Sequence, residues 1–382
     1  MSNALVVPPF AQLKVGTHRV SVLRDGDQTF TAMLGAIRAA QRTICLETYI
    51  FQEDHTGKRF IEALLERAQA GVEVSLLVDG WGTGNLSAEL KQRFRAAGVK
   101  WLVFGPVRFS RRLERWVSRL RRRDHRKILV VDGKVGFTGG LNIADAYAGD
   151  EVGGGRWRDT HVRVDGHAAL ELQALFLETW RKYRGPALDV TRYSSPPREA
   201  PSGIRVVANN FGRANRDIRR AYQQAFNRAQ SRIAVMNAYF VPPSRLLKTL
   251  RHAVRKGVQV SIIIGAATDV KLVLLASRHL YARLLRSGVR LYEWEERVLH
   301  AKTAVIDGRW STIGSANLDS LSLQANLEVN VVIEDAAVGE AMERMFEEDL
   351  KKTREVTLDW VKERPWLERS FWWLAYQVRY WL

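Results

Sequence analysis

Two short runs carry the chemistry: His125-Arg-Lys127-Ile-Leu-Val-Val-Asp132, and His300-Ala-Lys302-Thr-Ala-Val-Ile-Asp307. Both read His-x-Lys-x-x-x-x-Asp. After the same spacing each is followed by a small-residue turn and an asparagine, Gly139-Gly140-Leu141-Asn142 and Gly314-Ser315-Ala316-Asn317. Residues two apart on a strand share a face, so each run presents an imidazole beside an ammonium. Phosphodiester chemistry asks for donors that hold an anionic centre, a nucleophile, and an acid for the departing oxygen. Two sets of His, Lys and Asn supply all three: one imidazole can attack phosphorus and form a phosphohistidine, while the other gives and later takes the proton of the alcohol. A lone strand histidine is more often a satisfied core residue, but two matched eight-residue patterns do not arise by chance.

The elements around these runs also come twice. Residues 36–51, AIRAAQRTICLETYIF, parallel 225–240, AFNRAQSRIAVMNAYF, and the helix–strand segments 60–80 and 246–265 correspond, with Gly71 and Gly257 where a left-handed helix cap is needed. A third pair starts at Glu89 and His279. Strands alternating with helices predict an α/β fold. Asp132-Gly133 and Asp307-Gly308 read as tight hairpin turns that return each asparagine to its His and Lys; the two aspartates are counted with the catalytic motif, although this placement gives them a structural part. Residues 186–203 hold four of the ten prolines and read as a connector. The expected division is 1–185 for the first half, 186–203 for the linker, 204–350 for the second half, and 351–382 for an aromatic and basic tail at a membrane interface.

Composition narrows the partners. The 382 residues carry 59 Lys and Arg against 41 Asp and Glu, a net charge of +18, which suits phosphate-bearing surfaces, lipid or nucleic acid. One cysteine, Cys45, excludes an intrachain disulfide framework and cysteine-based metal clusters. No clustered carboxylate ligand set stands out, and the two ammonium groups can do a metal's electrostatic work, so neither metal nor cofactor is expected. No signal peptide and no run long enough to span a bilayer is evident. Residues 108–127 hold ten basic side chains with an apolar stripe at Leu113, Trp116, Val117 and Leu120, the pattern of an interfacial helix; a solvated basic face or a phosphate-backbone groove competes. From Trp360 onward lie five of the twelve tryptophans, interspersed with arginines, as at the headgroup level of a bilayer; a helix docked on the body is the other reading.

From about Val20 to Asp349 the chain resembles the phospholipase D superfamily, whose signature is the twin HxKxxxxD…G[GS]xN unit. The segments LETYIFQED, LLVDGWG, FTGGLNIADAY, WRDTHVRVDG, NAYFVPP and STIGSANLDSLSLQANLEVN are similar to the shorter bacterial cardiolipin synthases. The resemblance implies two α/β/α repeats related by a pseudo-twofold axis, with the active site at their interface. It implies that Asp159 and Glu328 orient imidazoles of the opposite half, Glu328 with His125 and Asp159 with His300, and that His125 is the nucleophile. Lys127, Lys302, Asn142 and Asn317 would hold the phosphate oxygens. The implied reaction moves a phosphatidyl group from phosphatidylglycerol, or phosphatidylethanolamine, to phosphatidylglycerol, in a monomer peripheral on the cytoplasmic membrane. A hydrolase or nuclease of the same superfamily is the alternative, against which the aromatic tail argues. A basic binding protein with a degenerate site is disfavoured because both signatures are intact. Two departures stand out in the first half: Gly140 replaces serine and so offers no hydroxyl to a phosphate, and a Gly-rich insert, AYAGDEVGGGR, either lines substrate access or is a permissive loop.

Overall fold

The computed structural model describes residues 12–84, 86–106, 122–196, 203–210 and 216–380. The first half runs β1 (Leu13–Val15), β2 (His18–Arg24), α1 (Asp25–Ala39), β3 (Thr43–Thr48), α2 (His55–Gln69), β4 (Glu73–Asp79), α3 (Ala88–Ala96), β5 (Lys100–Phe104), β6 (Ile128–Val131), β7 (Val135–Gly139), β8 (Thr160–Asp165) and α4 (His167–Lys182). The second half runs β9 (Ile204–Asn209), α5 (Asp217–Arg228), β10 (Arg232–Asn237), α6 (Ser244–Arg255), β11 (Gln259–Gly265), α7 (Lys271–Leu285), β12 (Arg290–Trp294), β13 (Lys302–Ile306), β14 (Trp310–Gly314), α8 (Ser320–Gln324), β15 (Glu328–Glu334), α9 (Ala336–Leu350), β16 (Thr353–Val356), α10 (Leu358–Lys362) and α11 (Trp366–Gln377).

The two sheets repeat one permutation. Strands lie in the order β2-β8-β7-β6-β3-β4-β5 in the first and β9-β15-β14-β13-β10-β11-β12 in the second. In each, three parallel strands joined by crossover helices continue into an antiparallel meander. Only the outermost strands differ: β1 is added beside β2, and β16 beside β12. The second sheet therefore takes in chain beyond Asp349, and the segment expected to be a tail begins as an edge strand.

Alternation decides what faces what. Strand residues such as Val22, Val130 and Val162 point inward and share one core with Ile313, Val329 and Val331 of the other sheet. Helices α4 and α9 complete this layer through Leu172, Phe176, Trp180, Met342 and Phe346. The opposite sheet faces are covered by α1, α2 and α3 in the first half and by α5, α6, α7 and α11 in the second. Because the halves share a buried apolar core, truncating Phe176 to alanine would cost about 3–5 kcal/mol and loosen both. No described helix is long and apolar enough to cross a membrane.

Candidate active site

Both sheets offer the same edge to the site. Tyr49 and Ile50 follow β3, Trp81 follows β4, Arg123 and His125 precede β6, and Asn142 follows β7; in the second half Tyr239 follows β10, Asp269 and Val270 follow β11, His300 precedes β13, and Asn317 and Asp319 follow β14. This is the carboxyl end of the parallel strands, where α/β sheets open a crevice. All these residues line one cavity of about 470 Å³ between the halves.

The histidines are placed by backbone exchanged across the interface. His125 N–H donates to Leu327 O at 3.0 Å and Leu327 N–H to Arg123 O at 2.9 Å; on the other side His300 N–H donates to Arg158 O at 2.8 Å and Arg158 N–H to Val298 O at 2.9 Å. Each bridge ends one residue before an acid, so the acid arrives beside the imidazole. Glu328 lies 3.1 and 3.2 Å from His125 Nδ1, and Asp159 Oδ2 lies 2.7 Å from His300 Nδ1. With Nδ1 engaged by a carboxylate, Nε2 of each ring is the nitrogen left for chemistry.

Two buried guanidiniums fasten these bridges. Arg126, between His125 and Lys127, points to the opposite strand face and donates to Thr179 Oγ1 at 2.9 Å, Asn209 O at 2.9 Å, Asn210 Oδ1 and Glu328 O at 3.3 Å. Arg158 donates to Asp349 at 2.6 Å and lies 3.3 Å from Asp25. Removing either partner would strand a buried charge, a loss of about 3–5 kcal/mol. The motif alone did not mark these residues, although period-two alternation does: the arginine between His125, which lines the cavity, and Lys127 on the same face must turn the other way, into the body.

Burial sets the electrostatics. Desolvation, reinforced by the Lys127 ammonium, lowers the pKa of His125 despite the opposing pull of Glu328. Desolvation, then Lys302, pushes His300 well below the usual imidazole value; Lys127 and the His125 ring add to the effect. Burial also lowers Lys127 to about 7, lowers Lys302, and raises Asp159 to about 6. Burial thus favours the neutral ring at His125, the form that attacks phosphorus, while an anion entering the cavity would draw protons onto His300 and the lysines. Each lysine is parked on its own motif's backbone: Lys127 Nζ donates to His125 O at 2.7 Å and Lys302 Nζ to His300 O.

The remaining motif residues divide. Asp132 and Asp307 stand at the far end of their strands, outside the cavity, which removes them from the catalytic set. Asp132 accepts the N–H groups of Gln41, Arg42 and Thr43, and Asp307 those of Gln230, Ser231 and Arg232, so each caps the start of the neighbouring parallel strand. Their φ values of 54° and 52°, followed by 65° and 60° at Gly133 and Gly308, are those of tight turns with both central residues left-handed. Asn142 spends its amide on the protein, donating to Tyr147 Oη at 2.6 Å and accepting from Ile50 N–H at 3.2 Å. Asn317 accepts no hydrogen bond at its buried Oδ1 among the described residues.

Gly140 has a steric cause. A Cβ there would lie 2.2 Å from Asp159 Oδ1, so the glycine lets the short aspartate reach His300. Its counterpart Ser315 gives its hydroxyl to Glu328 at 2.5 Å and not to the cavity, so the missing hydroxyl costs the first half no phosphate contact. The Gly-rich insert supplies a wall: Tyr147 packs edge-on against His300, with ring centroids 5.3 Å apart, as Tyr49 does against His125 at 5.0 Å. Repetition of the aromatic ending at Tyr49 and Tyr239 was the signal that could have found Tyr49; Tyr147, in an insert without counterpart, left none. Of the arginine-rich stretch, residues 107–121 lie outside the described residues; Arg123 and Arg126 beyond it are buried and do not face solvent. Among the described residues no group of three or more potential metal ligands occurs.

The family model for the cardiolipin synthase, PLD-like domain matches residues 33–153 and 222–350, one span in each half. The cardiolipin synthase of Geobacillus kaustophilus is 35% identical over 365 residues, covering 93% of this chain and 72% of that protein. That of Clostridium perfringens is 34% identical over 352 residues, covering 90% of this chain and 73% of its own. Among solved structures, phosphatidylserine synthase of Haemophilus influenzae aligns with a TM-score of 0.73 over 98% of this chain and 97% of its own at 14% identity, a likeness of fold. With both halves matched, the chain belongs to the cardiolipin synthase family of phospholipase D-like proteins.

Proposed function

We propose that this chain is a cardiolipin synthase that works by double displacement at His125 and His300. Nε2 of His125 attacks the phosphorus of a phospholipid; the bond to the headgroup oxygen breaks and that oxygen takes the proton of His300, leaving phosphatidyl-His125 and the free alcohol. The terminal hydroxyl of phosphatidylglycerol then gives its proton to His300 and attacks the same phosphorus, the P–N bond breaks, and cardiolipin leaves. Glu328 and Asp159 fix the tautomers and stabilise the imidazolium forms. Lys127 and Lys302 leave their carbonyl partners for the phosphate oxygens, with Asn317 beside them. The observation that carries this reading is the single cavity onto which both imidazoles open, each backed by a carboxylate of the opposite half. One chain furnishes all of these groups, so the working unit is a monomer.

Phosphatidylglycerol as substrate is supported by the named relatives, which are cardiolipin synthases; phosphatidylethanolamine as an alternative donor rests on the family resemblance of the sequence. A peripheral place on an anionic bilayer is supported by α11: Trp372 and Ala375 dock it on the second half, while Trp366, Leu367, Phe371, Leu374 and Val378 face outward. Tyr376 stacks on His279, and Arg369 and Trp372 lie by Ala282 and Arg286, so α11 runs antiparallel to α7. Val270, at the cavity wall, and Leu272, at the start of α7, are further exposed apolar residues of the same half. Replacing Phe371 and Leu374 by glutamate should weaken co-sedimentation with phosphatidylglycerol vesicles tenfold or more at unchanged Tm; unchanged pelleting defeats the membrane reading.

The decisive experiment incubates the protein with labelled phosphatidylglycerol and follows cardiolipin and glycerol. His125→Ala should abolish both, and His300→Ala should slow turnover by several orders of magnitude, with a phosphatidyl adduct on His125 visible by intact mass. Near-normal turnover in either variant refutes the mechanism.

A further inference from the structure

The two lips of the cavity are not chemical copies of each other. The parallel pairs Thr48–Val78 and Asn237–Ile264 occupy equivalent places in the two repeats. Counting outward from them puts Ile50 opposite Tyr239, and Thr83 opposite Asp269. In the first half these positions are uncharged, and Thr83 turns inward, donating to Asp79 O. In the second half an exposed carboxylate, Asp269, stands at the cavity wall, held by the Tyr239 hydroxyl and 3.4 Å from Thr268 Oγ1. Its Oδ2 accepts no hydrogen bond among the described residues. Its charge acts on both His300 and Lys302.

A carboxylate in a cavity built for phosphodiesters works against binding, because it repels the anion that the lysines attract. Beyond its pull on His300 and Lys302, such a carboxylate favours a substrate that brings its own hydrogen-bond donors to that wall. Asp269 lies on the second-half side, with His300, which handles the proton of the departing and arriving alcohol in the proposed function. Of the headgroups that function invokes, glycerol has a secondary hydroxyl one carbon from the reacting oxygen, both as it leaves and as it arrives.

We propose, resting on that function, that Asp269, positioned by Tyr239, accepts the secondary hydroxyl of glycerol and makes the site selective for glycerol-headed lipids. Glycerol is then bound the same way as leaving group and as nucleophile. The phenol keeps one carboxylate oxygen occupied and turns the other to the substrate. Phosphatidylethanolamine, which enters only as donor, carries an ammonium and not a hydroxyl beside its leaving oxygen, and its esterified headgroup offers no acceptor hydroxyl.

The test compares phosphatidylglycerol with phosphatidyl-1,3-propanediol, which lacks only the secondary hydroxyl, in mixed micelles with the full chain. The unmodified protein should favour phosphatidylglycerol in kcat/KM by about ten- to hundredfold, the value of one hydrogen bond to a charged group. Asp269→Ala should bring the ratio to within about threefold, and Tyr239→Phe should give an intermediate ratio, since it removes the orienting donor and not the acceptor. An unmodified protein indifferent to the hydroxyl, or an Asp269→Ala variant with the original ratio, overturns the assignment. A change confined to phosphatidylethanolamine as donor overturns it in favour of ammonium recognition. Turnover of neither glycerol- nor propanediol-headed lipid, in a protein shown folded by its melting transition, defeats the proposed function itself and this inference with it.

Discussion

Glu328→Gln isolates the charge behind His125 at nearly constant volume. Glu328 is fully buried and meets Nδ1 of His125 with both oxygens, at 3.1 and 3.2 Å, while Ser315 and Ser322 donate to it from behind. Attack by Nε2 on phosphorus leaves a positive ring, about 4 Å from the carboxylate's charge centre. At an effective dielectric near 20 their attraction is about 4 kcal/mol. The glutamine carbonyl still accepts the Nδ1 proton, and the serine hydroxyls can rotate to face its amide, which retains about 1 kcal/mol. The remaining loss of about 3 kcal/mol corresponds to roughly a hundredfold in the rate of phosphatidyl-His125 formation. Rapid-quench single turnover with labelled phosphatidylglycerol measures that step, and a thermal melt verifies that the variant is folded. A folded Glu328→Gln enzyme that forms the adduct within threefold of the original rate would refute the role given to this pair.

Gly140→Ser copies the second half's residue and should nonetheless cost at least tenfold in turnover, because its Cβ would meet Asp159 Oδ1 at 2.2 Å and push the acid off His300; the double variant with Asp159→Glu, which restores a Ser–Glu pair, should recover part of it. A Gly140→Ser enzyme of full activity contradicts the steric account. Asp307→Ala should lower unfolding stability by about 2–3 kcal/mol in urea while leaving kcat/KM of the folded protein within a fewfold. Although burial works to raise the Asp307 pKa, the N–H groups of Arg232, Ser231 and Gln230 outweigh it and hold the group below its ordinary value. Its contribution is therefore complete above about pH 4 and lost as pH falls through the lowered pKa. A catalytic collapse without loss of stability would return Asp307 to the chemistry. Burial brings Lys127 to about 7, so an oxyanion should bind near neutrality with proton uptake. Titration calorimetry with tungstate at pH 7.5, in buffers of different ionisation enthalpy, should show uptake and an affinity that falls as pH rises above about 7; no buffer dependence would contradict it.

Much of this protein was legible in its residues. Alternating apolar runs and the positions of Gly71 and Gly257, both with positive φ, gave the two α/β repeats, because strand and helix periodicity is local. The twin motifs named the imidazoles, and the Asp-Gly pairs gave the hairpin turns, again from local backbone preference. The aspartates that close the motifs sit outside the cavity because strand length carries them to the opposite edge; their real partners, N–H groups some 75 to 90 residues earlier in the chain, have no local signature. The roles of Ser315 and Gly140 were likewise hidden, since they depend on whether a Glu or an Asp stands behind the neighbouring histidine.

What the sequence determined by itself is the inventory: two repeats, two imidazoles, two ammoniums and a basic, aromatic chain suited to phosphate at a surface. The family resemblance added which acid stands behind which histidine. What only the tertiary structure decided is how those pairs are held: the exchanged backbone bridges at Leu327 and Arg158, the guanidinium locks at Arg126 and Arg158, and the closing of unlike lips at Thr83 and Asp269 over one cavity come from packing one half against the other. That packing is set by a shared apolar core, which has no direction along the chain and so leaves no spacing to read.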